Sequence, residues 1–319
     1  MSDPVLARPA ICLNMIVRNE AHIIREALDS VAPYISSWVI VDTGSNDGTQ
    51  DLIRNHMAGL GIPGELYERP WHNFGHNRTE ALNLAQGRGD YIWVMDADDI
   101  VVGTPDFTGL SADLYYLRLR QSGSFVYWRG VLFRDGLPWF YRGVVHEYPW
   151  CDDPHGAANL EGDYHIESRR VGARNLEPKK YARDRDLLLA EVAGNPEDAR
   201  SVFYLAQSYR DLGDFRNARR WYARRAEMAG FDQEAYVAMH QVVRAIDAAS
   251  SYPDAVAGGG LITDPRDAEI TVNLVAGPDR AGVEQALNSF LNCCAISVTG
   301  RAVPGGRYRS VGCGARDAG

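Results

Sequence analysis

Lysine is almost missing from this 319-residue sequence: Lys179 and Lys180 are the only two, and every other one of its 33 basic residues is arginine. That pattern reads as coding bias and carries no mechanism. Positive charge is also scarce overall, since 42 acidic residues leave a formal charge of −9. A duplex-binding protein is thereby excluded, because affinity for a polyanion rests on many cations releasing counterions, and any phosphate must be held locally by a metal or by backbone amides. Cysteine is sparse and odd in number, at 12, 151, 293, 294 and 313, with no CxxC pair. This argues against a disulfide framework or a zinc knuckle. No apolar run approaches the roughly 18 residues a membrane span needs, and the N-terminal MSDPVLARPA has no apolar signal core. The expected location is the cytoplasm, free or peripheral to the inner face of the membrane. What is present suffices for a core: 45% of residues are hydrophobic and 10% aromatic, and the length allows two or three domains.

An alternating pattern runs through the first hundred residues. The buried run Ile11 to Val17 feeds a helix from Ala21 to Val31, and Trp38 to Asp42 ends in the turn-rich Thr43-Gly44-Ser45-Asn46-Asp47-Gly48-Thr49 before a helix from Gln50 to Ala58. A strand near Glu65 to Glu68, a helix from Asn77 to Ala85 and the strand Tyr91 to Met95 complete the series. Strand and helix in alternation predict an α/β domain with a mainly parallel sheet. Beyond Asp99 come strands without long helices between them, at Leu114 to Arg120, Phe125 to Arg134 and Phe140 to Glu147, which predict an antiparallel extension of the sheet.

From Pro178 the spacing turns helical, over Lys179 to Val192, Asp198 to Leu212, Phe215 to Ala229 and Glu234 to Ile246. Leu205, Ala206, Tyr209, Gly213, Ala218 and Tyr222 sit at the spacing of a tetratricopeptide repeat, which this segment resembles. Arg225 departs from that pattern, standing where a small residue is usual. A later echo, Ile270 to Val275 followed by Ala286-Leu287-Asn288-Ser289, repeats the opening strand and helix. It predicts an incomplete second α/β unit, with a tail rich in Gly and Arg behind it that suggests a truncated or frame-altered end. The expected division is therefore 1–172, 173–247, 248–295 and a disordered 296–319.

Acidic clusters follow three predicted strands, at Arg18-Asn19-Glu20, at Asp42 and at Asp96-Ala97-Asp98-Asp99, on the sheet edge where open α/β folds bind ligands. Asp96 and Asp98 lie two apart at a strand end and can point the same way, and hard carboxylate oxygens suit Mg2+ or Mn2+ on a diphosphate. Together, Asn14-Met15-Ile16-Val17-Arg18-Asn19-Glu20, Val41 to Thr49, Asn77-Arg78 with Ala81-Leu82, and Met95-Asp96-Ala97-Asp98-Asp99 resemble the family 2 glycosyltransferases of the GT-A fold, over about residues 10 to 170. A nucleotidyltransferase is disfavoured, because Val17-Arg18-Asn19-Glu20 lacks the Gly-rich loop such enzymes place after the first strand.

The resemblance implies a nucleotide-sugar donor, usually a UDP-sugar, lying across the strand ends. Val17, Glu20 and Asp42 would meet the nucleoside, Arg78 the base, ribose or diphosphate, and Asp96 the ribose or metal. Asp98 would ligate the divalent ion, and His165 would stand on the metal or diphosphate. An inverting reaction also needs a base for the acceptor proton; it falls in Tyr141 to Glu147, with Glu147 preferred over its neighbour His146. Asp42 and Asp47 could instead cap their turn, Asp99 the next one, and Arg169, Arg170 and Arg174 could face solvent. Trp71, His72, Phe74 and His76 form a loop that either lines the donor pocket or simply packs. The acceptor is expected to be a glycan, a lipid-linked glycan or a peptide, and the helical region would bind it or another subunit, a homodimer included. The rival reading is an interaction protein whose repeat does the binding.

Overall fold

The computed structural model describes residues 8–121, 125–152, 154 and 156–251. The alternating half forms as the periodicity predicts. β1 (Ile11–Val17), β2 (Ser37–Asp42), β3 (Gly64–Glu68) and β4 (Tyr91–Val94) are linked through α1 (Ile24–Val31), α2 (Thr49–Leu60) and α3 (Phe74–Ala85). All pairings among these four strands are parallel, in the spatial order β3-β2-β1-β4. Odd residues of β1 (Ile11, Leu13, Met15, Val17) pack with Ile24 and Leu28 of α1 and Ile53 and Met57 of α2. Cys12, on the other face, joins Leu82 and Ala85 of α3. Burial on both faces is why β1 reads as a continuous apolar run and not an alternation. The one polar residue inside it, Asn14, is satisfied by donating to the carbonyls of Val39 and Ala81 at 3.2 and 2.9 Å.

Past the parallel half the sheet continues through β5 (Asp99–Gly103), β6 (Leu114–Gln121) and β7 (Phe125–Arg134), with the short hairpin β8 (Phe140–Arg142) and β9 (Tyr148–Trp150) set apart from it. β10 (Ala157–Asn159) and β11 (Tyr164–Ser168) both pair with β6, and β11 also takes β5. β7 joins antiparallel to β4 and to β6, so the extension is antiparallel where the sequence predicts it. One expected strand is shorter than read: Phe140 to Glu147 stops at Arg142, because Gly143 (φ 94°) and His146 (φ 53°) are left-handed and turn the chain out of the ladder. Glu147 therefore sits in a loop and not at a strand end.

The remainder is helical: α4 (Ala173–Leu176), α5 (Lys180–Gly194), α6 (Ala199–Asp211), α7 (Phe215–Glu227) and α8 (Asp232–Ser251). Asp198 and Asp214 cap α6 and α7 by accepting from backbone amides in the first turn. The α6–α7 hairpin turns at Gly213 (φ 77°) and buries Leu205, Ala206, Ala218 and Tyr222, as the repeat spacing demands. The result is a mixed and mainly parallel sheet flanked by helices, followed by an all-α region, the layout expected from the sequence. The described residues up to Val242 belong to one compact unit. No helix among the described residues is long and apolar enough to cross a membrane. The expected α/β unit opening at Ile270 and the tail from 296 lie outside the described residues.

Candidate active site

The two loops at the C-terminal ends of β1 and β2 are knitted together before any ligand is considered. Asn19, left-handed at φ 57°, donates its amide to Ser45 Oγ at 2.8 Å and accepts from the Asn46 amide through Oδ1 at 2.8 Å. The amides of Glu20 and Ala21 donate to Thr49 Oγ1 and Asp47 Oδ2 at 2.9 and 3.1 Å. Asp42 is 1% exposed; its Oδ1 accepts from the amides of Gly44 and Ser45, while Oδ2 is buried without a partner. Asp47 thus holds its own turn, and Asp42 does so with one oxygen only.

A cleft of 1350 Å³ opens over these loops, and its wall includes Val17, Glu20, Arg78, Asp96, Asp98 and Glu147. Six of the eight residues expected at the site therefore share one cavity. Asp42 lies beneath the cleft floor and does not line it. His165 is not brought to Asp98: Ser168, three residues further along β11, is the one that pairs with Asp99, and three residues of strand are about 10 Å. His165 instead places Nε2 3.3 Å from Glu167 Oε2 on its own strand. Asp99 is 2% exposed and faces the interior, where burial and the charge of Asp96 push its carboxyl up to about 7.

Arg78 is the centre of the site. Its Nε donates to Glu147 Oε1 at 2.6 Å and its Nη2 to Asp96 Oδ1 at 2.5 Å, while Arg129 on β7 donates through Nη1 and Nη2 to Asp96 Oδ2 at 3.1 and 3.2 Å. Burial opposes ionisation of Asp96, yet the guanidinium groups of Arg78 and Arg129 hold it far below the ordinary carboxylate range. Arg78 comes from α3, whose start is fixed by Asn73 accepting from the His76 amide. Arg129 has no counterpart in the motifs. The available signal was a single charge directly after the aromatic pair Tyr127-Trp128 in β7, just before Gly130 and the buried Val131 to Phe133.

The segment after β11 closes the other side. The Gly172 amide and Asn175 Nδ2 donate to Asp98 Oδ2 at 3.2 and 3.4 Å, and the Ala173 amide reaches both oxygens of Glu20 at 3.2 Å. Gly172 is packed tightly there, since a Cβ would stand 3.3 Å from both Asp98 Oδ2 and Glu20 Oε1. Burial raises the Glu20 carboxyl to about 7, against the pull of that amide.

Among the described residues no group of three or more His, Cys, Asp or Glu stands at metal-binding spacing. The donor set still fits a divalent ion carried on a diphosphate, which draws most of its shell from phosphate oxygens and water. Asp98 suits that role, whereas both oxygens of Asp96 are already taken by arginines.

Residues 12–104 match the sequence model of the family described as glycosyl transferase family 2. A TPR repeat-containing protein of Synechococcus elongatus is 28% identical over 237 residues, covering 68% of this chain and 56% of that protein. Among solved structures, S. aureus TarS 1-349 in complex with UDP aligns at TM-score 0.39 and 14% identity, over 84% of this chain and 98% of that one. A mannosyltransferase from Pyrobaculum calidifontis in complex with GDP-Man and Mn2+ aligns at TM-score 0.44 and 16% identity, over 90% and 81%. A further structure of S. aureus TarS is matched over 42% of its own chain and 62% of this one, at TM-score 0.38 and 14% identity.

Proposed function

We propose that this protein is an inverting glycosyltransferase that moves a sugar from a nucleotide-sugar, a UDP-sugar by first choice, to a hydroxyl of a glycan, lipid-linked or peptide acceptor. The observation that carries this reading is the shared cleft: within a family 2 domain, Arg78 ties Glu147 to Asp96 while Asp98 faces the same cavity. Glu147 is the base. Its Oε1 is held by Arg78, which aims the carboxylate, and the acceptor proton would pass to it as the acceptor oxygen attacks. His146 is the poorer choice: enclosure by the cleft walls, with Arg200, Arg174 and Lys180 nearby, pushes its imidazole below the ordinary range, although the residue itself remains open to the cleft.

Asp98 would hold Mg2+ or Mn2+, which supplies positive charge against the diphosphate as it departs. Glu20 and Val17 line the nucleoside end. Trp71 and Phe74 also line the cleft, whereas the rings of His72 and His76 lie against each other outside it, tilted by 54° with centroids 4.4 Å apart. The cavity runs on along α5 and α6 past Tyr148 and Tyr204, which gives the acceptor a wall of aromatic and polar groups.

Calorimetric titration of UDP, GDP and TDP with and without Mn2+, repeated on Asp98→Ala, tests the donor half. Metal-dependent binding that the substitution removes is the expected result. A folded protein that binds none of the three would retire this reading in favour of an interaction protein built on the helical repeat.

A further inference from the structure

The loop that carries Glu147 is held by the helical region. Val145 is buried in a core made with Leu188 and Val192 of α5 and Val202 and Leu205 of α6. One residue on, His146 adopts φ 53°, a conformation a non-glycine residue keeps only where its surroundings impose it. Two groups from α6 impose it. Arg200 donates to the His146 carbonyl from Nε and Nη2 at 3.3 and 3.1 Å, and the ring of Tyr204 stacks on the imidazole at 3.9 Å with planes 12° apart. The Arg200 guanidinium also lies over the rings of Tyr148 and Tyr204, at 5.0 and 4.9 Å.

Arg200 is itself fixed from behind. Glu234 of α8, 7% exposed, accepts from its Nη1 at 2.7 Å. Glu234 lies 3.6 Å from Nη2 of Arg225, the fully buried α7 arginine that breaks the repeat pattern, and that nitrogen also donates to the Phe231 carbonyl at 2.9 Å. The departure at Arg225 therefore fixes the start of α8, and with it the carboxylate behind Arg200.

We propose that Arg200 and Tyr204 are positioning residues for glycosyl transfer: by clamping His146 in its left-handed conformation they set the direction of the Glu147 carboxylate, so the repeat-like helices are part of the catalytic apparatus. This rests on Glu147 being the base, and the test separates the two claims. Water is the probe acceptor, with a panel of UDP- and GDP-sugars and Mn2+ on the full chain. The C1 to diphosphate-oxygen bond breaks, C1 bonds to the water oxygen, and the water proton goes to Glu147. Glu147→Gln is expected to abolish release of the nucleoside diphosphate. Arg200→Ala and Tyr204→Ala are expected to lower turnover at saturating donor by roughly 10- to 100-fold, the scale of a misplaced catalytic group, with donor KM within about twofold. Tyr204→Phe keeps the stack and should recover most of the loss seen in Tyr204→Ala, and Arg200→Lys, which keeps the charge on a single nitrogen, should recover part of the loss in Arg200→Ala.

Amide exchange of residues 143–148, read on the intact chain without substrate, is expected to rise about tenfold in Arg200→Ala and to stay at the wild-type rate in the exposed α7 variant Arg220→Ala. Unchanged exchange in Arg200→Ala overturns the proposal whether or not turnover is seen. So does full turnover of Arg200→Ala where Glu147→Gln is dead. Full turnover of Glu147→Gln would instead remove the base assignment, and the positioning role with it.

Discussion

Arg78 satisfies two carboxylates from a position where its own side chain is 8% exposed. Removing it would leave Glu147 (13% exposed) without its guanidinium and Asp96 with Arg129 alone. A buried charge stripped of its partner is costly, so Arg78→Ala should lower unfolding free energy by about 3 kcal/mol, read from urea denaturation. Arg78→Lys should recover little of it, since an ammonium cannot span both acids as the planar fork does. Glu20 makes a separate prediction. Its folded carboxyl is raised to about 7 by burial, so it holds a proton that the unfolded chain has released. The stability that comes with that proton is fully present below about 4.5 and is lost as pH rises through about 7. Denaturant titrations at pH 5 and 8 should show wild type losing roughly 2 kcal/mol relative to Glu20→Gln across that interval; parallel curves would contradict it. Arg78, Asp98 and Glu147 were legible because each stands in a recognisable string of neighbours. Arg129 and Arg200 were not, because what ties them to the candidate site is a partner 33 or 54 residues away, and nothing local marks that pairing.

The loop that carries Glu147 meets α3 as closely as it meets α6. The Phe74 amide donates to the Val144 carbonyl at 3.1 Å, and a Cβ on Gly75 would stand 2.3 Å from the Gly143 carbonyl oxygen. Backbone cannot yield there as a side-chain tip can. Gly75→Ala should therefore cost about 2 kcal/mol, the scale of overpacking, seen as a lowered denaturation midpoint, and should weaken turnover by moving the helix that carries Arg78. The elements themselves were unevenly readable. β1, β2 and β4 declared themselves as apolar runs, and α6 and α7 by small and aromatic residues at fixed spacing. β9 and β10 have three residues each, too few for a period of two to show. β5 and β11 hid because they pair mainly with each other across about 60 residues. The break at Gly143 was missed because Phe140 to Val145 is as apolar as a strand, and only the left-handed angles of Gly143 and His146 reveal the turn.

The whole molecule carries a formal charge of −9, yet its cleft wall has more cationic than anionic side chains, Arg170, Lys180 and Arg183 among them. A local positive field in a net-negative chain attracts a diphosphate at short range only, and salt screens it. Raising ionic strength from about 0.05 to 0.5 M should weaken UDP binding several-fold in calorimetry; no change would mean that hydrogen bonds and metal alone hold the nucleotide. The same cavity is enclosed by β1, β6, β7 and the loop after β4 on one side and by α5 and α6 on the other. The helices are thus no detachable appendage. A fragment ending at Ser168 would keep every strand found among the described residues, with Asp96, Asp98 and Glu147, but the apolar seat of Val145 and the clamp on His146 would go with the excised part. Under the proposed function, lineages that trade binding modules between enzymes by recombination would find no neutral cut point here: the smallest heritable unit of transfer would include the helices.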